Sequence, residues 1–222
     1  DMDIDSGQIF DMTIVVTVVV IAVPILLLAL AFRFKDRFKS QNVFLMALLA
    51  YGIVSRFIVA PFTGHPYDMG IWTQAVRLFY ESGVMAVKTF PLPLNYYILL
   101  LAYSPYALLG TIGFQDARFL AHNFNMLEAV FIKAPFILSD MLSFYFILKI
   151  LNRIGDGKLN SSGRFLYASM YFLSPLAIVL SSVWGIYDGI AVALFLAGIY
   201  YTLFEGKPFR GAVFYALSGL TK

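Results

Sequence analysis

Pro61-Phe-Thr-Gly-His-Pro-Tyr-Asp-Met-Gly-Ile-Trp72 is a polar, aromatic and proline-bent stretch that separates long apolar runs. Runs without a charged residue cover 12–32, 89–115 and 165–187, and each reaches the roughly 20 residues that a membrane-spanning helix needs. Charged residues make up only 13% of the 222-residue chain, against about 25% in soluble domains. The sequence therefore predicts an all-α, polytopic integral membrane protein, in which this stretch is the most favourable place for chemistry in water.

The low charge and the absence of cysteine exclude several kinds of site. The net charge of +3 is concentrated in short loops, so it reports topology and predicts no nucleic-acid partner. Without cysteine the chain forms neither disulfides nor thiolate metal sites. The acidic start lacks the basic segment of a cleaved signal peptide, and an apolar helix that opens at Gly211 stops at Lys222. We therefore expect residues 1–222 to be one transmembrane domain, the N-terminal part of a longer chain.

Apolar and basic residues together predict how the chain crosses the membrane. The predicted spans cover about 12–32, 42–60, 130–151, 165–184, 187–204 and the residues from 211 onward. Basic residues concentrate in three connections, at 33–39, 149–164 and 207–210, and such loops stay on the cytoplasmic side. All three share one side if the apolar, proline-containing 92–110 segment lies at the surface instead of crossing. The prediction is a multi-pass protein of a prokaryotic plasma membrane or the endoplasmic reticulum, with a large outer loop at 61–128.

The outer loop is predicted to contain juxtamembrane helices. Across 68–83, apolar residues recur at helical spacing on one face and polar residues occupy the other. The apolar set is Ile71, Trp72, Ala75, Val76, Leu78 and Phe79. Such a helix lies in the membrane interface, and Gly83 is a suitable residue to end it. With 92–110, this helix makes the loop a surface layer on the non-cytoplasmic side, where we expect the active site.

Asp68 is the candidate catalytic residue of this loop. A positioned carboxylate can act as general base on an acceptor hydroxyl, while aspartate is also a common N-cap, so the two roles stay open. His65 either binds a phosphate or a metal, or is an ordinary hydrogen-bonded loop residue. Two ligands are too few for a metal site, so no metal or other cofactor is predicted, although a divalent ion is left open. Tyr67, next to Asp68, is a candidate substrate contact.

Three further candidates lie within predicted spans, where a charge costs roughly 2.5–3.5 kcal/mol to insert. Arg56 and Lys133 lie near the outer ends of their spans, where each either clamps a substrate phosphate or extends to the lipid headgroups. Asp140 follows Lys133 by two helical turns and shares its face. The two residues form an ion pair, direct or bridged, or Asp140 contacts a substrate.

Asp188 falls at the turn between the spans predicted at 165–184 and 187–204. It either caps the next helix or joins Trp184 and Tyr187 in an aromatic corner that holds a sugar or a polyprenyl chain. Aromatic residues of the membrane interface explain the same pair. The chain has no P-loop, no dinucleotide-binding glycine motif, no zinc-protease motif and no hydrolase elbow. The support for these candidates is therefore their joint placement at one outer membrane face.

Several motifs occur in a characteristic order. They are His65-Pro-Tyr-Asp-Met-Gly-Ile-Trp72, Phe90-Pro-Leu-Pro-Leu-Asn-Tyr-Tyr97, Lys133-Ala-Pro-Phe-Ile-Leu-Ser-Asp140, Ser174-Pro-Leu-Ala, Val183-Trp-Gly and Tyr187-Asp-Gly189. From about residue 42 onward, this order resembles the GT-C superfamily of integral membrane glycosyltransferases, especially those that use dolichyl- or polyprenyl-phosphate mannose. The resemblance implies a GT-C-like helix bundle and an inverting transfer in which Asp68 activates the acceptor hydroxyl. It implies a lipid-phosphate-linked sugar donor, with mannose favoured, and a lipid, glycan or protein acceptor.

Two other classes of function stay open. A transporter or lipid flippase would use Lys133 and Asp140 along a pathway through the membrane. A non-catalytic scaffold subunit would leave Asp68 facing solvent or capping its helix. The sequence contains no soluble nucleotide-binding domain, which favours a lipid-linked sugar donor over a sugar nucleotide.

Overall fold

The computed structural model describes residues 15–34, 41–86, 93–118, 124–155 and 160–221. The helices in these ranges are α1 Val23–Phe34, α2 Gln41–Val59, α3 Pro66–Ser82, α4 Pro93–Thr111, α5 Met126–Ile154, α6 Ser161–Phe172, α7 Pro175–Ile178, α8 Asp188–Ile199 and α9 Pro208–Gly219. Short π or 3₁₀ segments extend four of them: Thr17–Ala22 before α1, Ala60–Phe62 after α2, Val179–Trp184 after α7 and Tyr200–Phe204 after α8. The described ranges contain no β-strand, only an isolated bridge between Arg118 and Asn125. The predicted all-α fold class is confirmed for these residues.

Two helices are long and apolar enough to cross a membrane, Phe44–Phe62 and Met126–Ile154. The pair Ser161–Phe172 and Pro175–Trp184 adds a third if these segments, bent by 48°, form one span. A described helix lies at each of the six predicted spans. Most of these helices are too short, or too sharply bent, to count individually as candidate membrane spans. By length and composition, two helices among the described residues could cross a membrane, or up to three if the bent pair is one span.

Some predicted features lie outside the described residues. They include the acidic N-terminal start, the basic residues at 35–39 and the first residues of the proline-rich motif at 90–92. Lys158 of the second basic connection also lies outside the described part.

Two helices of the predicted outer loop, α3 and α4, pack together against the first half of α5. Their shared core contains Met69, Val76, Leu99, Phe124, Ile132 and Phe136, all buried. Each such side chain contributes about 1.5–3 kcal/mol of burial free energy, so packing holds this layer in place. Gly83, with φ 71°, is the left-handed C-cap of α3, as predicted. α4 is not among the helices apolar enough to cross a membrane, and the surface position of 92–110 stays a prediction.

The helix α5 packs against α2, α6 and α8 and is the centre of the structure. Close approach of α2 to α6 depends on Gly52, because a Cβ at this position would lie 2.4 Å from the Phe172 ring. This packing brings the end of α2 and the π segment after α7 beside the middle of α5. The buried charged groups of the predicted site meet at that junction.

Glu205 anchors the turn between α8 and α9. Its carboxylate accepts hydrogen bonds from the Tyr200 hydroxyl at 2.7 Å, from Arg153 at 2.9 Å and from Lys207 at 3.0 Å. The hydrogen bond from Tyr200, followed by those from Lys207 and Arg153, lowers the pKa of Glu205 from 4.5 to about 2. The ionised carboxylate therefore stabilises this turn at neutral pH.

Candidate functional site

Asp68, His65 and Trp184 form one cluster, although Trp184 follows Asp68 by 116 residues. The Trp184 Nε1–H donates to Asp68 Oδ2 at 2.6 Å, and His65 Nδ1 lies 3.1 Å from the same oxygen. The His65 ring stacks on Trp184, with ring centroids 4.7 Å apart. The Asp68 and His65 side chains are 26% and 40% exposed, and neighbouring Tyr67 is 70% exposed. The cluster therefore presents a fixed carboxylate to solvent.

The start of α3 explains how Asp68 is held. The helix begins at Pro66, whose fixed φ and missing N–H suit the first helical position, and His65 is its N-cap. The prediction that Asp68 caps this helix is therefore wrong, because Asp68 lies in the first turn, where the helix dipole stabilises a carboxylate. The His65 N–H donates to the Trp184 carbonyl at 3.0 Å. This backbone bond joins the two chain segments that carry the cluster.

His65 Nδ1 lies near two groups of Asp68. It accepts a hydrogen bond from the Asp68 N–H at 3.5 Å as the N-cap of α3, and it lies 3.1 Å from Oδ2, an ion-pair distance when the imidazole is protonated. The hydrogen bond that holds the carboxylate itself is therefore the one from Trp184. The other carboxylate oxygen, Asp68 Oδ1, has no hydrogen-bond partner among the described residues.

Lys133 is fully buried and supports both segments of this cluster. Its Nζ donates to the carbonyls of Thr63 at 2.5 Å, Ser182 at 2.7 Å and Ala60 at 3.0 Å. Ser182 lies two residues before Trp184, and Thr63 lies two residues before the histidine of the cluster, so one ammonium joins both segments. Within the described residues Lys133 is thus a structural cation. Its predicted role as a phosphate ligand stays a prediction.

Arg56 forms a buried ion pair with Asp140, with Nε and Oδ2 3.0 Å apart. Its other nitrogens donate to the carbonyls of Gly52 at 2.7 Å and Phe172 at 2.8 Å. The predicted pairing of Asp140 with Lys133 is wrong, because seven helical residues separate the two by about 10 Å along the axis and Arg56 reaches Asp140 from α2. The Arg56 guanidinium is enclosed by protein, and substrate binding by this pair stays a prediction.

The residues of the predicted aromatic corner, Trp184, Tyr187 and Asp188, have different partners in the structure. Asp188 is the first residue of α8, and Tyr187 occupies the N-cap position. Tyr187 packs edge-on against Trp72, with centroids 5.2 Å apart, whereas Trp184 belongs to the cluster described above. Asp188 and Asp140 line one cavity of about 220 Å³, with otherwise mostly apolar walls. Arg56 neutralises Asp140 at this cavity, and substrate binding by Tyr187 and Asp188 stays a prediction.

A second charged cluster, which the sequence pattern does not indicate, lies between α3 and α5. Arg77 donates through Nε and Nη2 to both oxygens of Glu128, which is fully buried, and the Tyr103 hydroxyl donates to Glu128 Oε1 at 2.8 Å. Burial opposes the charge of Arg77, but the hydrogen bonds to Glu128 raise its pKa above the ordinary value. Burial, followed by the Glu128 charge, raises the pKa of Tyr103. From the sequence alone, Arg77 is expected to face solvent, because its partner Glu128 lies 51 residues away.

The described residues contain no group of three or more histidine, aspartate or glutamate side chains that could hold a metal ion. Comparison of the chain with protein-family models, with curated proteins and with solved structures finds no match. The geometry around Asp68 is therefore the main basis for a functional conclusion.

Proposed function

We propose that this protein is a membrane glycosyltransferase of the GT-C type. It would move a hexose, with mannose favoured, from a polyprenyl- or dolichyl-phosphate donor to a hydroxyl of a lipid, glycan or protein acceptor. Asp68 takes the proton from the acceptor hydroxyl while the acceptor oxygen attacks the anomeric carbon. The bond between that carbon and the phosphate oxygen breaks, and the lipid phosphate leaves with the electron pair. The anomeric configuration is inverted in this single displacement.

The proposal rests on one observation: the protein contacts of the Asp68 carboxylate fall on one of its two oxygens. His65 and Trp184 both engage Oδ2, while Oδ1 has no partner among the described residues. A general base must lie within hydrogen-bond reach of the proton that it removes, and the partly exposed Oδ1 meets this requirement. A carboxylate that served only to hold the loop would gain more from using both oxygens.

The neighbours of Asp68 favour a fixed catalytic geometry. The 2.6 Å bond from Trp184 and the histidine contact restrict rotation of the carboxylate, and fixed placement of a reacting group lowers the entropic part of a barrier. The stacked rings of His65 and Trp184 also form an aromatic wall beside Asp68, suited to the apolar face of a sugar ring. Beneath them, the ammonium of Lys133 holds both backbone segments in register.

The position of the cluster favours a lipid-linked donor. The candidate span Phe44–Phe62 ends three residues before His65, so the cluster follows directly on a membrane-spanning helix. A lipid-linked sugar presents its phosphate at this depth of the membrane. The proposal therefore includes a multi-pass protein of a prokaryotic plasma membrane or the endoplasmic reticulum, with Asp68 on the non-cytoplasmic side.

The transport alternative has less support. A pathway through Lys133 and Asp140 needs these groups to be available to a passing solute. Lys133 instead contacts backbone carbonyls and Asp140 contacts Arg56, both inside the protein. Such contacts are typical of groups that hold helices together. A scaffold role also leaves Asp68 facing solvent and accounts for these buried groups, but it gives no use to the stacked rings of His65 and Trp184 beside the carboxylate.

Reconstituted full-length protein can test the donor class. The assay supplies mannose on polyprenyl phosphate, or mannose on a nucleotide, to the protein in lipid nanodiscs and measures labelled product. We expect transfer from the lipid donor alone, with an inverted anomeric bond. The Arg210→Ala variant, altered at an exposed arginine of α9, should match the wild type. Transfer from the nucleotide alone, or from neither donor with other hexoses also inactive, overturns the proposal.

A further inference from the structure

A polar groove extends along the side of α3 that faces away from the core. A cavity of about 600 Å³ is lined by residues of α3 between Pro66 and Glu81. A second cavity, of about 730 Å³, lies between α3, α4 and the segment before α5. Arg77 and Glu81 line both cavities, so the two adjoin at these residues. The helix from Pro66 to Glu81 is about 22 Å long, which is enough for an extended ligand.

The side chains of this groove are suited to sugar rings. Tyr80 and Tyr106 present aromatic surface, and aromatic faces pack against apolar faces of a ligand. Gln74 adds an amide that both donates and accepts hydrogen bonds, and the Thr111 hydroxyl, which donates to the Leu108 carbonyl, can still accept one. A polyhydroxyl ligand uses both kinds of contact along its whole length.

The charges of the groove nearly cancel. Arg77 is neutralised by buried Glu128, and Arg118 lies in the same cavity as Glu81. An anionic ligand would need an excess of cations, which the groove does not offer. The charge balance therefore favours a neutral oligosaccharide over a phosphate or an acidic peptide.

One buried hydroxyl of the groove has no protein partner. Thr73 is 3% exposed, lines the first cavity, and its Oγ1 makes no hydrogen bond within the described part of the chain. A buried hydroxyl without a partner is destabilising. Oγ1 itself is enclosed, and rotation of the side chain toward the cavity would let a ligand hydroxyl bond to it and remove this cost.

We propose that this groove binds the neutral oligosaccharide chain of the acceptor. One end of the groove, at Pro66 and Tyr67, lies beside Asp68 in the chain, so an acceptor that extends past this end brings its terminal hydroxyl to the base. The far end, at Arg118 and Asn125, contacts sugar units remote from the reaction. This inference rests on the proposed glycosyltransferase function and adds a preference for long acceptors.

Direct binding tests the groove separately from catalysis. The full chain with Asp68→Asn, in nanodiscs, is titrated with a fluorescently labelled manno-disaccharide and manno-hexasaccharide, and anisotropy gives the affinity. We expect the hexasaccharide to bind at least about tenfold more tightly. Adding Arg118→Ala should weaken hexasaccharide binding about tenfold, the effect of losing one hydrogen bond to a charged group. Disaccharide binding should not change.

The matched control is Arg210→Ala, at an exposed arginine of α9 remote from the groove. Equal affinity for both saccharides, or equal effects of the two arginine variants, overturns the groove. Tighter binding of an extended peptide overturns the proposed ligand. Transfer to acceptors with no dependence on their length refutes the groove and leaves the glycosyltransferase. Length-dependent binding without any sugar transfer refutes the glycosyltransferase and leaves the groove as a glycan-binding site.

Discussion

Replacing Asp140 with asparagine tests the buried ion pair between α2 and α5. The substitution keeps the side-chain volume but leaves the Arg56 guanidinium buried with no carboxylate among the described residues. Breaking one side of a buried pair costs about 3–5 kcal/mol. Arg56 keeps its bonds to the Gly52 and Phe172 carbonyls and its position 4.4 Å over the Phe172 ring. We therefore expect the lower end of that range, about 3 kcal/mol of lost stability.

Thermal unfolding in detergent, followed by circular dichroism, measures this effect. For a chain of this size, a loss of about 3 kcal/mol lowers Tm by roughly 6–12 °C. Glu81→Gln is the matched control, since an exposed carboxylate contributes less than about 0.5 kcal/mol. In the double variant Arg56→Met, Asp140→Leu, no buried charge remains at the site of this pair, so Tm should rise above that of Asp140→Asn. A single variant with the wild-type Tm, or a double variant less stable than the single, refutes the structural role of the pair.

Three further predictions follow from local geometry. In Gly185→Ala, a Cβ at a residue with φ 87° would lie 2.8 Å from a methionine sulfur, so Tm should fall. The fall should exceed that of Gly206→Ala, where φ is 63° but the surrounding space is open. Equal losses of Tm would mean that backbone strain alone matters. In Trp184→Phe, the ring stacking is kept but the N–H donor to Asp68 is lost. The rate of sugar transfer should fall about tenfold or more at an unchanged Tm. An unchanged rate would contradict the role of Trp184 in holding Asp68. Because the pKa of Glu205 is lower in the folded state, at about 2 against 4.5, its stabilising effect is present above pH 4.5 and is lost as pH falls toward 2. The Tm difference between wild type and Glu205→Gln should shrink over that interval, and a constant difference would refute the assignment.

The helical positions were predictable from the sequence because apolar runs and basic loops are local signals. Gly83 ended α3 as expected, since its missing side chain permits a left-handed C-cap. The start of α3 was misassigned, because the preference of Pro66 for the first helical position outweighs the capping preference of Asp68. Propensities of single residues do not reveal which of two neighbouring capping signals prevails.

The partners of the charged residues were not predictable from sequence spacing. Asp140 pairs with Arg56 across 84 residues rather than with Lys133 on its own helix, and Arg77 pairs with Glu128 across 51 residues. Such pairs are set by how helices pack, which the linear pattern does not contain. Asp68 was identifiable because it lies in a polar stretch between apolar runs. Its contact with Trp184 could not be predicted, because the two residues lie 116 positions apart.

The rate of sugar transfer by Asp68→Asn tests the central claim most directly. Asparagine keeps an oxygen that can accept the Trp184 N–H, but it cannot take a proton from the acceptor. With polyprenyl-phosphate mannose as donor, we expect the rate to fall by about two orders of magnitude or more, with Tm and hexasaccharide affinity unchanged. A variant that transfers sugar at a rate close to wild type would show that Asp68 only holds the loop. The base would then have to be sought elsewhere, at Asp188 first.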